Sequence, residues 1–263
     1  MNNKSTPILV IGLLIVLFLP GVCRSEILEL PSMTNLENYI DDDTLVAFNL
    51  DNTVFECETC WGHAHWFNYN IKEAVQRGVD KDAAIQQFFP RYIKAQKNCK
   101  LKLVESCTND VIKKLQQQGL HVMGLTQRQP CLALTTVKQL ATFDIDFQRS
   151  AMSDTNMIIQ GTCASKYIEG ILFIGNNEDK GIVLKAFLSE VGVIPKKIVF
   201  IDDNLHCLTS VQAVFEPIGV KVKGLHYRVI EKRPNTWNPE IADLQESLYG
   251  RVLSDEEAQQ LLR

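Results

Sequence analysis

Three short apolar runs, each breaking at once into polar residues and then into a helix, set what this chain can fold into. Residues 44–50 (TLVAFNL) run into Asp51-Asn52-Thr53, Leu120–Leu125 into Thr126-Gln127-Arg128, and Lys197–Ile201 into Asp202-Asp203-Asn204. An unbroken apolar run of this length reads as a strand buried on both faces, the pattern of a parallel sheet. Helical stretches separate the runs. Ile71, Ala74 and Val75 keep a helical spacing, as do Val111, Ile112 and Leu115 before Gly119; Pro130 opens another helix, and a further one spans about Lys180–Val191. Tyr167–Ile174 reads as one more strand, Val220–Tyr227 alternates like a strand, and the acidic tail from Ile241 reads as helix packed on the outside. The expected fold is α/β: a doubly wound, mostly parallel sheet with every polar loop at one edge, where such sheets bind ligands.

Partner class and compartment follow from charge and from the first residues. A formal charge of −4 leaves no basic excess, so nucleic acid is disfavoured as a partner. Lys4, the apolar run PILVIGLLIVLFLP and then GVCRS have the order of a secretory signal over residues 1–25. The competing reading is a membrane anchor, but the run is short for a span and ends in Pro20-Gly21. Export to the periplasm or to the exterior is expected, with no stable membrane insertion after cleavage. In an oxidising compartment Cys57, Cys60, Cys99 and Cys107 are candidates for two disulfides, with three pairings open. A four-thiolate zinc site is the rival, although the gap from Cys99 to Cys107 is wide for a zinc knuckle. A redox role for Cys57-x-x-Cys60 lacks a preceding thioredoxin-like strand.

The strand-end loops carry Asn49, Asp51, Thr53, Thr126, Asp202 and Asp203, with Lys180 opening a helix. Carboxylates from two strand ends suit an oxygen-loving cation such as Mg2+. A lysine and a threonine hydroxyl beside them suit a phosphoryl group.

These residues, in this order, resemble the haloacid dehalogenase-like (HAD) superfamily of phosphohydrolases. Its first motif is matched by Phe48-Asn49-Leu50-Asp51-Asn52-Thr53, its second by Leu125-Thr126, its lysine by Lys180, and its paired acids by Phe200-Ile201-Asp202-Asp203-Asn204. The flanking pattern is similar to an exported bacterial branch of that superfamily. The resemblance implies a HAD-like core over 26–54 and 120–263, a helical cap over 55–119, and hydrolysis of a small phosphorylated molecule with Mg2+. It implies Asp51 as general acid and base, and Asn49, Asp51, Asp202 and Asp203 around the metal. Thr53, Thr126, Gln127 and Lys180 would contact the substrate. Asn49 departs from the family pattern, because an aspartate nucleophile is implied there and a neutral carboxamide oxygen is a far poorer one. Two readings follow: a phosphatase with weak or absent turnover, and a catalytically silent relative binding a phosphorylated ligand or a protein. Within the cap, Trp61-Gly62-His63-Ala64-His65-Trp66 reads either as a substrate-gating rim or as a helix start whose aromatics pack inward.

Overall fold

Each of the apolar runs becomes a central strand. The computed structural model describes residues 26–175, 178–234, 237–247 and 254–262, so the expected signal segment lies outside the described residues. Chain order starts with strand β1 (Glu26–Leu30), a 3-10 helix over Met33–Tyr39 and β2 (Thr44–Phe48). A short ribbon of β3 (Phe55–Cys57) and β4 (Leu101–Leu103) encloses helices α1 (Ala64–Gln76) and α2 (Lys81–Asn98). Then come α3 (Thr108–Gln117), β5 (His121–Thr126), α4 (Ala133–Ala141), and strands β6 (Met157–Ile158), β7 (Lys166–Ile168) and β8 (Ile171–Phe173). The chain continues with α5 (Lys180–Glu190), β9 (Lys197–Asp202), α6 (Leu205–Phe215), β10 (Lys221–Tyr227), α7 (Pro239–Ser247) and α8 (Asp255–Leu261).

Among the described residues one eight-stranded sheet has the order β1-β10-β9-β2-β5-β8-β7-β6. It is parallel from β1 to β8 and antiparallel through the last two strands. The central strands are buried on both sides, and their side chains alternate between two cores. Val46 and Phe48 join Val122, Val199 and Ile201 on one face. Leu45 and Ala47 join Met123, Leu125, Ile198 and Phe200 under α5 and α6 on the other. This is the expected α/β layering, with β2, β5 and β9 adjacent and their carboxyl ends together.

One local expectation is corrected. Tyr167–Ile174 is not one strand but the β7–β8 hairpin, which turns at Glu169 and Gly170 with φ of 48° and 77°. Positive φ at both central residues is what a tight two-residue hairpin requires, and glycine supplies it without strain at the second. Within residues 55–119, α3 packs through Ile112 and Leu115 into the sheet core, while α1 and α2 lie between the strands of the β3–β4 ribbon as an inserted unit. The tail helices pack on the inserted unit. Ile241 and Ala242 of α7 and Ala258 of α8 bury against Trp61, Trp66 and Phe88 of the inserted unit. An amphipathic helix must cover its apolar face, and here the inserted helices provide the surface.

Candidate functional site

The site is built where β2 and β9 run out side by side. The ladder persists one residue past β2, because Asn49 N donates to Ile201 O at 2.8 Å. The chain then folds back on Leu50 O, which accepts from the amides of Thr53, Val54 and Phe55, with Asn52 at φ 61°. This turn brings Asn49, Asp51 and Thr53 close to the loop after β9. Lys180 opens α5, whose N-cap Asp179 accepts from Ile182 N (2.9 Å) and from Ser210 Oγ of α6 (2.8 Å).

Asn49 is the centre of a closed network. Its Nδ2 donates to Asp51 O (2.8 Å), Asp203 Oδ1 (2.8 Å) and, more weakly, Thr53 Oγ1 (3.3 Å). Its Oδ1 accepts from Lys180 Nζ at 2.9 Å, and the same ammonium donates to Asp202 Oδ2 at 2.7 Å. Asp202 Oδ1 accepts from Asn204 N at 2.8 Å. Asn49, Thr53, Lys180 and Asp202 are all buried. The partners fix which way the amide points: turned over, its NH2 would face the Lys180 ammonium and its carbonyl the Asp203 carboxylate. Burial, and then the neighbouring Asp202 carboxylate, push Asp203 up to about 7.

The donor set decides whether Mg2+ fits. A divalent ion of this kind needs several oxygens free to converge on it. Here the Asp51 carbonyl and Asp203 Oδ1 converge on the Asn49 NH2 group, and Asp202 is neutralised by Lys180. Among the described residues no three His, Cys, Asp or Glu side chains are grouped to hold a metal. In this arrangement the residues expected around Mg2+ do not fit the ion, because an amide and an ammonium already occupy their oxygens.

The remaining expected site residues lie beside this network. Asp51 faces Arg128, whose Nε and Nη2 each donate to a different carboxylate oxygen at 2.8 Å. Arg128 is 4% exposed, lies over the Phe55 ring, and donates through Nη1 to Thr136 Oγ1 (3.2 Å) and Gln139 Oε1 (2.8 Å). Thr126 is buried one strand over, and its hydroxyl accepts from Arg128 N at 3.1 Å. Gln127 is exposed. The sequence therefore placed Asn49, Thr53, Lys180, Asp202 and Asp203 at one point, but assigned no role to Arg128. Its only signal was position, directly after the second motif.

A cavity of about 740 Å³ opens beside the site, lined by Asn52 and Asp203 of the core and by Cys57, His63, His65 and Trp237 around the inserted unit. His63 caps α1 by accepting from His65 N, and the two imidazoles stack at 4.6 Å. Burial, and then His65, push His63 down to about 4, so it is neutral near pH 7. Trp66 packs inward against Phe88 and Tyr92, which settles the aromatics of that segment as core. All four cysteines expected in disulfides are free thiols. Cys60 Sγ faces Asp255 Oδ2 at 3.6 Å, and Cys107 stands at the N-cap position of α3.

Comparisons with known proteins found one family model and several similar proteins. A family model described as "Protein of unknown function (DUF2608)" matches residues 29–259. A "Putative outer membrane protein" of Chlamydia trachomatis is 25% identical over 225 residues, covering 86% of this chain and 84% of that protein. An "Uncharacterized protein" of Rickettsia prowazekii is 26% identical over 248 residues, 88% of this chain and 87% of that protein. Among solved structures, a haloacid dehalogenase-like family hydrolase from Streptococcus pneumoniae is similar at TM-score 0.43 and 14% identity, over 70% of this chain and 95% of that one. A class C acid phosphatase from Bacillus anthracis is similar at TM-score 0.36 and 16% identity, over 87% of this chain and 81% of that one.

Proposed function

The chain belongs to the DUF2608 family, and we propose that it is an exported HAD-like protein that has given up metal-assisted phosphoryl transfer and binds a small phosphorylated ligand in the cavity between core and cap. The observation that carries this reading is the Asn49 carboxamide. Its NH2 group donates to the Asp51 carbonyl and Asp203, the acceptors a cation would use, and its oxygen is held by Lys180. A nucleophile in this fold needs an anionic oxygen aimed at phosphorus; Asn49 offers a neutral oxygen already bonded to an ammonium. Asp51, the expected acid and base, has both oxygens bonded by Arg128. Binding is favoured over turnover because the cavity remains while the reacting groups are paired with one another. At its walls the two histidines present ring nitrogens to an anionic group, and Lys102 and Arg233 bring positive charge there, each paired with Glu56. Export is supported by the order of the first 25 residues and by the printed names of the chlamydial relatives. Among the described residues no helix is long and apolar enough to cross a membrane.

The test is hydrolysis of a generic phosphomonoester with MgCl2 by the native chain and by Asn49→Asp, together with calorimetric titration of the native chain with a non-hydrolysable phosphonate analogue. The expected result is no turnover above background in the native chain, a gain of at least about a hundredfold in the variant, and measurable phosphonate binding. Equal turnover in both chains would make the protein a phosphatase in spite of Asn49. Absence of phosphonate binding would remove the ligand-binding half of the reading.

A further inference from the structure

We propose that Cys57 and Cys99 are a disulfide-forming pair that staples the base of the cap. The sequence leaves three pairings open among four cysteines, and the fold brings one pair of sulfurs together. The antiparallel ribbon pairs Cys57 with Leu101, and Glu58 N donating to Lys100 O (2.9 Å) extends that pairing. Cys57 and Cys99 therefore occupy diagonal positions on one face of the ribbon. Gly62 sits directly over them. A Cβ built on Gly62 would lie 2.3 Å from Cys57 Sγ, 2.8 Å from Cys99 Cβ and 3.1 Å from Cys99 Sγ. The space that any other side chain at 62 would need is filled by these two thiols.

The remaining cysteines lie elsewhere in the fold. Cys60 bonds Asp255, Cys107 stands at the N-cap position of α3 without a side-chain capping bond, Cys131 and Cys163 are exposed on other segments, and Cys207 is buried in α6. Reactivity is divided between the two partners. Cys57 lines the cavity and can be reached from outside, whereas Cys99 is buried. Burial raises the Cys57 thiol, but hydrogen bonds from Cys99 and Thr59 outweigh it and bring it below the ordinary thiol range. That is the direction an attacking thiol needs.

The oxidant is a disulfide, RS–SR, of the exporting compartment. Cys57, as thiolate, attacks one sulfur of RS–SR. A Cys57–SR mixed disulfide forms, and RS⁻ leaves and takes up the proton that Cys57 gave to solvent. Cys99 then loses its proton and attacks Cys57 Sγ; the second RS⁻ leaves and is protonated. Two protein thiols are oxidised by two electrons, and one disulfide is reduced to two thiols. The product closes residues 57–99, with α1 and α2 inside the loop. Its inner end is tied to the candidate site, because Cys99 O and Gln96 O accept from Gln139 Nε2 while Gln139 Oε1 accepts from Arg128. This inference rests on the export included in the proposed function, and not on its ligand or its loss of turnover.

The experiment equilibrates the purified chain with oxidised glutathione, quenches with acid, alkylates under denaturing conditions and maps peptides by mass spectrometry. A cross-linked peptide joining Cys57 to Cys99 is expected, unchanged in Cys60→Ser and absent in Cys99→Ser, where Cys57 becomes alkylated or glutathionylated. The oxidised native chain should unfold about 10 °C above the reduced one, as a cross-link closing a loop of this length implies. A Cys57–Cys60 or Cys99–Cys107 peptide would overturn the assignment. So would full alkylation of both thiols after oxidation of the native chain, a measurement that depends on no variant.

Discussion

At the scale of single residues, the pair Asp51–Arg128 holds the candidate site as firmly as Asn49 does. A buried guanidinium is costly unless every donor is used, and Arg128 spends its donors on Asp51, Thr136 and Gln139. The Asp51 carboxylate is about one-third exposed, so it remains partly hydrated while the arginine does not. Loss of the pair should therefore be felt mainly through the arginine's buried acceptors. Replacing Arg128 by Met leaves Asp51, Thr136 and Gln139 without their donor and should cost about 3 kcal/mol, the lower end for a broken buried pair. Replacing it by Lys keeps the charge but not the fork, and should cost about 2 kcal/mol. Urea unfolding checks both values through the midpoint at constant slope. Variants within about 0.5 kcal/mol of the native chain would show that the pair behaves like an exposed one. The positions of Asn49, Lys180, Asp202 and Asp203 were legible beforehand, because strand ends are marked by where apolar runs stop. The burial of Arg128 was not, since an arginine after a strand ordinarily reads as solvated. Its partner, a carboxylate seventy-seven positions away in sequence, is set by tertiary packing.

At the scale of elements, the register of α5 against α6 decides where Lys180 ends up. Gly181 is the contact point. Its amide donates to Ser210 Oγ at 3.1 Å, and a Cβ there would stand 2.5 Å from Ser210 O and 2.9 Å from Ser210 C. Those atoms are backbone and cannot swing aside. Gly181→Ala gains about 1 kcal/mol of helix propensity and loses more by forcing the two helices apart, as overpacking commonly costs about 1–3 kcal/mol. The expected net result is destabilisation by about 1–2 kcal/mol, read by chemical denaturation; a more stable variant would mean that α5 can slide without strain. The long elements were readable from the sequence because buried parallel strands are written as continuous apolar runs. The β7–β8 hairpin was hidden because its turn, Glu169-Gly170, lies inside a segment that is apolar on both sides. Strands β3 and β4 are three residues each, too short to leave a periodic signal.

At the scale of the whole molecule, the cap is held by the other end of the chain as well as by its own ribbon. Trp237 Nε1 donates to Cys60 O (3.0 Å), Trp61 N donates to Gln245 Oε1 (2.9 Å), and Arg91 binds Glu246 through two contacts of 2.6 Å. With the apolar faces of α7 and α8, these contacts form a third core apart from the two that flank the sheet. No periodicity in the tail could name its partner, because an amphipathic helix encodes a buried face and not what covers it. A separate core can open by itself, since protein stability is distributed over cooperative units. Ile241, 4% exposed, sits in that third core, and Ile241→Ala removes buried methylene and methyl groups at a cost of about 2–4 kcal/mol. If cap and tail open as one unit, amide hydrogen exchange in the variant should accelerate through α1, α2 and α7 while β2 and β9 keep their native rates. Val199, fully buried between β2 and β10, provides the contrast: Val199→Ala should accelerate exchange across the sheet and the cap together, because it lowers the stability of the frame on which the cap stands. Uniform acceleration in Ile241→Ala would mean that core and cap unfold only as a single unit, and that the cavity between them opens no more often than the whole protein does.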